Sequence, residues 1–289
     1  MLTATVTVVI ATRNRRPELY ATLERLSDLP ERPRIIVVDN GSRDGTAQAV
    51  RRAFPRVQLI SLPRNRGACA RNVGVRRAQT PYVAFSDDDS WWEPGALSRA
   101  VAVLDASPRT GIVAAATLVG PQAVPDPLNT LMAASPLAQG CLPGPRVLGF
   151  LGCAAVARRQ AYLAAGGYSR LLFIGGEEEL LAYDLAAKGW SISYRDDVIG
   201  RHWPSPVRDA RRRRSQEIRN RVLVAWLRRP LSRALGDTAR LARTVGREPA
   251  AGRALAETVL KLPAAVALRR RLPAGVEADI RLLEGSHAG

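Results

Sequence analysis

The sequence predicts an α/β fold, a mostly parallel central sheet flanked by helices, with an α-helical C-terminal extension. Three observations predict it. Over the first ~120 residues, short β-branched runs alternate with helical patterns, as parallel strands joined by crossover helices require. Polar loops close successive strands, on the rim where α/β sheets place ligands. From Ser205 the pattern becomes helical and rich in arginine, with 19 Lys and Arg against 8 Asp and Glu. The expected division is therefore residues 1–204 as the α/β domain and 205–289 as a basic helical extension.

The elements follow in order. Thr5 to Ala11 is a β-branched strand, and Pro17 opens a helix that carries Leu19, Leu23 and Leu26 on one face. Arg34 to Asp39 is the second strand, and the Asn40–Gly45 turn leads to a helix. Val57 to Leu62 is the third strand, followed by a loop to Gly67 and a helix to about Ala78. Tyr82 to Ser86 reads as a buried parallel strand. Gly111 to Val119 is another strand, and residues 120–147, rich in Pro, Ala and Gly, read as a long loop or flap. Gly149 to Val156 is a strand, and Arg159 to Ala165 is a helix stopped by Gly166-Gly167. Glu177 to Lys188 is a helix ended by Gly189; short strands at Ile192–Arg195 and Val198–His202 follow. Beyond Pro204 the helices break at Pro230, Pro249, Pro263 and Pro273.

The net charge of +17 is concentrated in the tail, where it can serve nucleic acid, anionic lipid or an acidic partner. Lys188 and Lys261 are the only lysines, a bias that a GC-rich genome also produces. No apolar run reaches the roughly 18 residues that span a bilayer. Met1 to Thr5 leads into a strand without a basic segment, so no signal peptide is expected. Cys69, Cys141 and Cys153 are odd in number and lack C-x-x-C spacing, which suits a reducing cytoplasm.

Asp87-Asp88-Asp89 closes the Tyr82 strand. Three adjacent carboxylates at a strand end make a hard oxygen site for Mg²⁺ or Mn²⁺, or else a solvated acidic turn. Other chemistries are excluded by their motifs. No G-x-G-x-x-G follows the first strand, and the chain has neither a G-x-x-x-x-G-K-[ST] loop nor H-E-x-x-H. The only histidines are His202 and His287.

Over residues 4–204 the chain resembles a family 2 glycosyltransferase of the GT-A fold. The resemblance rests on motifs in register: Val9 to Arg15, Val37 to Thr46, Asn65-Arg66-Gly67 through Ala70 to Gly74, and Phe85 to Asp89. Gly152 through Arg159, Gly166-Gly167-Tyr168, Gly176 to Leu180 and His202 continue it. The resemblance implies a donor-nucleotide set of Thr12, Arg13, Asn14, Arg15, Asp39, Asn65, Arg71, Asp87 and Asp88. In it Asp39 would accept the uracil N3–H, as an ionised carboxylate can only accept, unless it merely closes a turn with Gly41. Arg71 would reach the diphosphate or hold the acids; Asp88 would hold the ribose, with Asp87 the more structural neighbour. Asp89 and His202 are the implied ligands of Mn²⁺ or Mg²⁺, which neutralises the departing diphosphate.

Inverting transfer needs a general base for the acceptor hydroxyl. The family position falls on Glu178, one methylene longer than the family's usual Asp, with Glu177 and Glu179 as alternatives. Trp91 and Trp92 would stack on donor sugar or acceptor, or pack into the core. Gly152 and Cys153 fall near the donor sugar. The implied activity is metal-dependent, inverting transfer from a nucleotide sugar, UDP-linked by expectation, to a hydroxyl or amine. The acceptor classes are small molecules, carrier-bound intermediates, lipids and glycans. A nucleotidyltransferase is the enzymatic alternative, though Ala11 to Arg15 lacks the glycine-rich loop it calls for. A binder of nucleic acid or anionic membrane through the arginine tail is the non-enzymatic alternative, and Trp226 is its thin aromatic support. For the tail, the expected roles are docking at the inner membrane face, homodimer assembly, or part of the acceptor side. Val222, Leu223, Trp226 and Leu227 form its candidate apolar face.

Overall fold

The computed structural model describes residues 5–204 and 210–286, with side chains from 213 onward in the second segment. The expected division at Ser205 lies outside the described residues, as does His287. β1 (Val6–Thr12), β2 (Arg34–Asp39), β3 (Gln58–Ser61) and β4 (Tyr82–Ser86) form one half of a sheet. Between them run α1 (Arg16–Ser27), α2 (Thr46–Ala53) and α3 (Cys69–Arg77). β5 (Ser90–Trp92), α4 (Ala96–Ala106), β6 (Thr110–Val119), β7 (Val124–Pro125), α5 (Pro127–Ala133) and β8 (Arg146–Val147) follow. β9 (Ala155–Arg158), α6 (Arg159–Ala165), α7 (Glu177–Ala187) and β10 (Ser191–His202) complete the α/β part. Four helices come last: α8 (Ala210–Arg228), α9 (Leu231–Thr244), α10 (Ala251–Ala267) and α11 (Ala274–Ser286).

The sheet order is β3-β2-β1-β4-β9-β6-β10-β5. Pairing is parallel for β1–β2, β1–β4, β2–β3 and β6–β10, while β9 runs antiparallel to both β4 and β6. Side chains alternate across each strand. Val8 and Ile10 thus join Leu19, Leu23 and Leu26 of α1 and Leu97 and Leu104 of α4 in one core. Val9 packs on the other face with Phe85, Tyr162, Leu181 and Leu185. A third cluster joins Leu172, Leu180 and Tyr183 to Leu223, Leu227, Leu272 and Ile280. Helices α8, α10 and α11 are therefore packed onto the α/β part through a shared apolar core, and α9 packs on α8 and α10.

Several expectations are corrected. The flap at 120–147 contains α5, begun by Asp126, whose side chain accepts from Leu128 N, and by Pro127 in the first turn. Residues 149–154 are not a strand but a loop, and β9 begins only at Ala155. The two short strands after Gly189 are one strand, β10, with a register irregularity between Arg195 and Ile199. β5 and α4 have no counterpart in the sequence reading. Helix α10 runs through Pro263, because the bond it removes falls to Val259, an exposed residue whose carbonyl water can satisfy. Val222, Leu223 and Leu227 are buried, so the tail's apolar face is covered by the protein itself. Among the described residues, no helix is long and apolar enough to cross a membrane.

Candidate active site

The parallel strands end on a common rim. β1 delivers Thr12 opposite Asp39 of β2, and β4 delivers Asp87 to Asp89 beside them. Asp87 N is held by Ser90 Oγ at 2.7 Å, which curls the acids into a turn. Each acid has a different neighbourhood. Asp87 forms an ion pair with Arg71, a buried arginine of α3 whose guanidinium stands 5.9 Å from the Tyr168 ring. Asp88 accepts from Thr12 Oγ1 at 2.8 Å, and its backbone oxygen accepts from Thr22 Oγ1 at 2.9 Å. Asp89, 5% exposed, lies 3.2 Å from Arg15 Nη1 and 3.4 Å from His202 Nε2. Burial first, then the charge of Asp87, pushes the Asp88 carboxyl up to about 7, against the lowering pull of Arg15.

His202 ends β10, where β5 holds it opposite Ser90. Its Nε2 is buried and has no hydrogen-bond partner among the described residues. One ligand atom each from Asp87, Cys153 and His202 lies within 4.8 Å of the others. Burial drives the Cys153 thiol well up, so it stays protonated and is a poor donor for a hard cation. The carboxylates and imidazole, by contrast, suit Mn²⁺ or Mg²⁺. Among the described residues, Asp87 and His202, with Asp89 at 3.4 Å from His202, are therefore the groups whose chemistry fits such an ion, rather than Cys153.

Opposite the acids stands the N-terminus of α7. Gly175 and Gly176, at φ 88° and 81°, make the left-handed turn that a side chain would resist. Glu177 to Glu179 fill the first helical turn, where the helix dipole favours acids. They do not share one direction. Glu177 and Glu178 line the acid cleft, whereas Glu179 faces a neighbouring hollow and accepts from Tyr183 Oη at 2.7 Å. Of the three glutamates, Glu179 is thus the one that does not line the acid cleft. Desolvation first, then the charge of Glu177, raises the half-buried Glu178 carboxyl to about 8. Burial raises Glu177 as well.

Gly152 and Cys153 join the two ends. A β-carbon on residue 152 would overlap the Glu178 carboxylate, and Cys153 Sγ stands against Asp87 and His202. Consecutive Cα atoms are about 3.8 Å apart. The cation cluster and the glutamate therefore face one reaction space, a cleft of about 650 Å³. A larger hollow of about 880 Å³ around Arg16, Tyr20 and Arg43 contains none of these acids.

The cleft gathers Arg15, Arg71, Asp87, Asp88, Asp89, Gly152, Cys153, Glu177, Glu178 and His202. Thr12 reaches it through Asp88. Asp39, Asn14 and Asn65 are on the same rim, outside this cleft. Asp39 accepts from Ser42 N at 2.9 Å; Asn14 accepts from Arg43 N at 2.8 Å; Asn65 accepts from Asn40 Nδ2 and Gly67 N, both at 2.9 Å. Arg13 is exposed. The tryptophans are corrected: Trp92 is buried in the core, and Trp91 is covered by Arg25, whose guanidinium stands 4.0 Å from the ring centroid. Neither lines the cleft.

Sequence reasoning missed Asp126, Phe150, Ile174, Arg213 and Gln216 in the cleft wall. Asp126-Pro127 carries a readable helix-start signal. Arg213 and Gln216 arrive by docking of α8, which leaves no local signal. Asn220 of α8 was missed too, and it donates through Nδ2 to the carbonyls of Leu172, Ile174 and Gly175.

The model of the family described as Glycosyl transferase family 2 matches residues 7–163. The chain belongs to this family. Its fold is that of the GT-A glycosyltransferases. Among curated relatives, the N-acetylglucosaminyl-diphospho-decaprenol L-rhamnosyltransferase of Mycobacterium tuberculosis is 27% identical over 234 residues, covering 67% of this chain and 74% of that protein. The chain spans only 30–36% of the length of several other curated relatives that it matches. The mannosyltransferase PcManGT from Pyrobaculum calidifontis, solved with GDP-Man and Mn²⁺, superposes with a TM-score of 0.61 at 24% identity, covering 98% of this chain and 79% of that one. Staphylococcus aureus TarS 1-349, solved with UDP-GlcNAc, gives 0.59 at 18% identity, with 98% and 91% covered. The alignment of the fold with each of these two structures covers 98% of this chain.

Proposed function

We propose that this glycosyltransferase catalyses divalent-cation-dependent, inverting transfer of a sugar from a nucleotide sugar, UDP-linked in the first instance, to an acceptor hydroxyl. One observation carries the reading: one cleft is lined by Glu178, whose carboxylate lies against Gly152, and by Asp87 and His202, which lie against Cys153, with Asp89 at 3.4 Å from His202. Base and leaving-group site on opposite sides of one space is the arrangement that in-line displacement needs.

Asp87, Asp89 and His202 would hold Mn²⁺ or Mg²⁺, which when bound neutralises the diphosphate. Structures of similar fold were solved with Mn²⁺ and a nucleotide sugar, which supports the assignment. Arg15 adds fixed positive charge beside the acids. Asp88, fixed by Thr12, offers a carboxyl to the ribose hydroxyls, and Asp39 at the end of β2 to the base. Glu178 takes the acceptor proton as the acceptor oxygen bonds to the anomeric carbon. The bond from that carbon to the phosphate oxygen breaks, and the electron pair leaves with the nucleoside diphosphate. Attack from the face opposite the leaving group inverts the anomeric centre. Arg71, by pairing with Asp87, positions an acid. The domain we assign to this chemistry is residues 1–204, with α8 supplying part of the cleft wall through Arg213 and Gln216.

A panel of UDP-, GDP- and dTDP-sugars with Mn²⁺, read by release of the nucleoside diphosphate, tests the reading. Turnover of none, with no nucleotide bound either, would overturn it.

A further inference from the structure

Glu178 has a second face. Beyond it, away from the acids, lies a hollow of about 420 Å³, within the roughly 300–1,000 Å³ of ligand pockets. Its wall is mostly apolar: Leu128, Leu131 and Met132 from α5, Leu148 and Phe150 from the loop before β9, and Leu283 from α11. The sequence dictates that wall. Asp126 and Pro127 start α5, so Leu128, Leu131 and Met132 fall at i, i+3 and i+4 on one helical face. Met132 is buried at the floor, while Leu128 and Leu131 are 41% and 48% exposed at the rim. Two neighbouring leucines exposed on one helical face form an apolar surface at that rim.

The hollow adjoins the acid cleft: Phe150 and Glu178 line both. Its polar groups are nearly all committed. Glu179 is engaged by Tyr183 Oη, and Ser135 Oγ donates to Arg146 O. Glu178 is left as the polar group that faces the cleft. A ligand lying here therefore meets hydrocarbon along its length and a carboxylate at its inner end.

Resting on the transferase reading above, we propose that this hollow holds the hydrocarbon chain of the acceptor, an alkyl or isoprenoid chain whose reacting hydroxyl, or a head group bearing it, is delivered to Glu178. The open rim at Leu128 and Leu131 favours a chain over a compact aromatic group, because a chain longer than the hollow continues across those leucines. Removing each methylene from water adds a similar increment of affinity until the hollow is full.

The test is calorimetric titration of the full chain with methyl, phenyl and n-octyl β-D-glucoside below the micelle concentration. In the same series UDP with Mn²⁺ is titrated separately. The proposal predicts that the octyl glucoside binds about tenfold or more tighter than the methyl one, with phenyl between them. Leu131→Asp, at an exposed position that should not disturb folding, brings octyl binding down to the methyl level and leaves UDP binding unchanged. Octyl binding no tighter than methyl, or full octyl affinity in Leu131→Asp, overturns the proposal. Phenyl binding tighter than octyl overturns the chain as occupant. UDP binding that persists when octyl discrimination fails leaves the transferase reading standing; loss of UDP binding alone counts against that reading and not against the hollow.

Discussion

The carboxylate of Glu178 occupies the space that a β-carbon on Gly152 would fill. The Glu178 carboxylate can take this place because residue 152 has no side chain. Cys153, next along the chain, stands against Asp87 and His202. Glu178 on one side and Asp87 and His202 on the other are thus placed by one dipeptide.

Gly152→Ala should displace the Glu178 carboxylate while leaving the acid cluster in place. Misplacing a catalytic group by about 1 Å costs on the order of 100-fold in rate. The expected result is a fall of that size in kcat, with UDP affinity in Mn²⁺ nearly unchanged by calorimetry. Wild-type kcat would show that the approach is incidental.

Glu178, raised to about 8, must be ionised to accept a proton, so kcat/KM should climb with pH through about 8. The same shift affects stability. A carboxyl bound to its proton more tightly in the folded chain than at its ordinary 4.5 contributes stability below 4.5, and that contribution is lost as pH rises towards 8. Melting temperature should therefore fall from pH 5 to pH 8, and fall less in Glu178→Gln. The difference is on the order of a few kcal/mol. Equal pH dependence in the two proteins would contradict the assigned environment.

Asp89 and His202 meet at 3.4 Å, in a cleft where the buried His202 Nε2 has no hydrogen bond from the described residues. Asp89→Asn and His202→Ala should each abolish the strengthening of UDP binding by Mn²⁺, leaving the weak metal-free binding seen with a chelator. Calorimetry with and without Mn²⁺ checks this. Retained metal dependence in Asp89→Asn would move the ion elsewhere.

Asn220 is fully buried in α8, yet it holds three carbonyls of the loop that carries Gly175 and Gly176. Arg219 adds a bond to Leu172 O at 2.7 Å. Asn220→Ala leaves those carbonyls short of donors, at about 1–3 kcal/mol for a buried group left unsatisfied. A lower melting temperature with a reduced kcat is expected, and unchanged UDP affinity would separate loop positioning from general damage. An unaltered kcat would show that the loop keeps its place without α8.

Much of the fold was legible because β1, β2 and β4 are continuous apolar runs closed by polar turns, the pattern that a doubly covered parallel sheet imposes. That Asp87 to Asp89, Arg15, Arg71, Glu178 and His202 come together in one cleft was legible too, since their motifs lie in register along the chain. The failures have physical causes. Trp91 and Trp92 follow the acids in sequence, but β5 pairs antiparallel with β10 and turns Trp92 into the core. Glu179 is adjacent to Glu178, yet its side chain enters the neighbouring hollow rather than the cleft. Arg213, Gln216 and Asn220 act through docking of a helix, which no local pattern announces. Arginine in the tail suggested a charged outer surface, whereas Arg228 and Arg229 are buried in ion pairs with Asp184, Glu277 and Glu284.

The most direct test of sugar transfer by Glu178 across the acid cluster is nucleoside diphosphate release from a UDP-, GDP- and dTDP-sugar panel, comparing wild type with Glu178→Gln. The account predicts turnover by the wild type with Mn²⁺, none in a chelator, and a fall of roughly 10²–10⁴-fold in the variant with UDP affinity retained. Wild-type turnover in Glu178→Gln would contradict it.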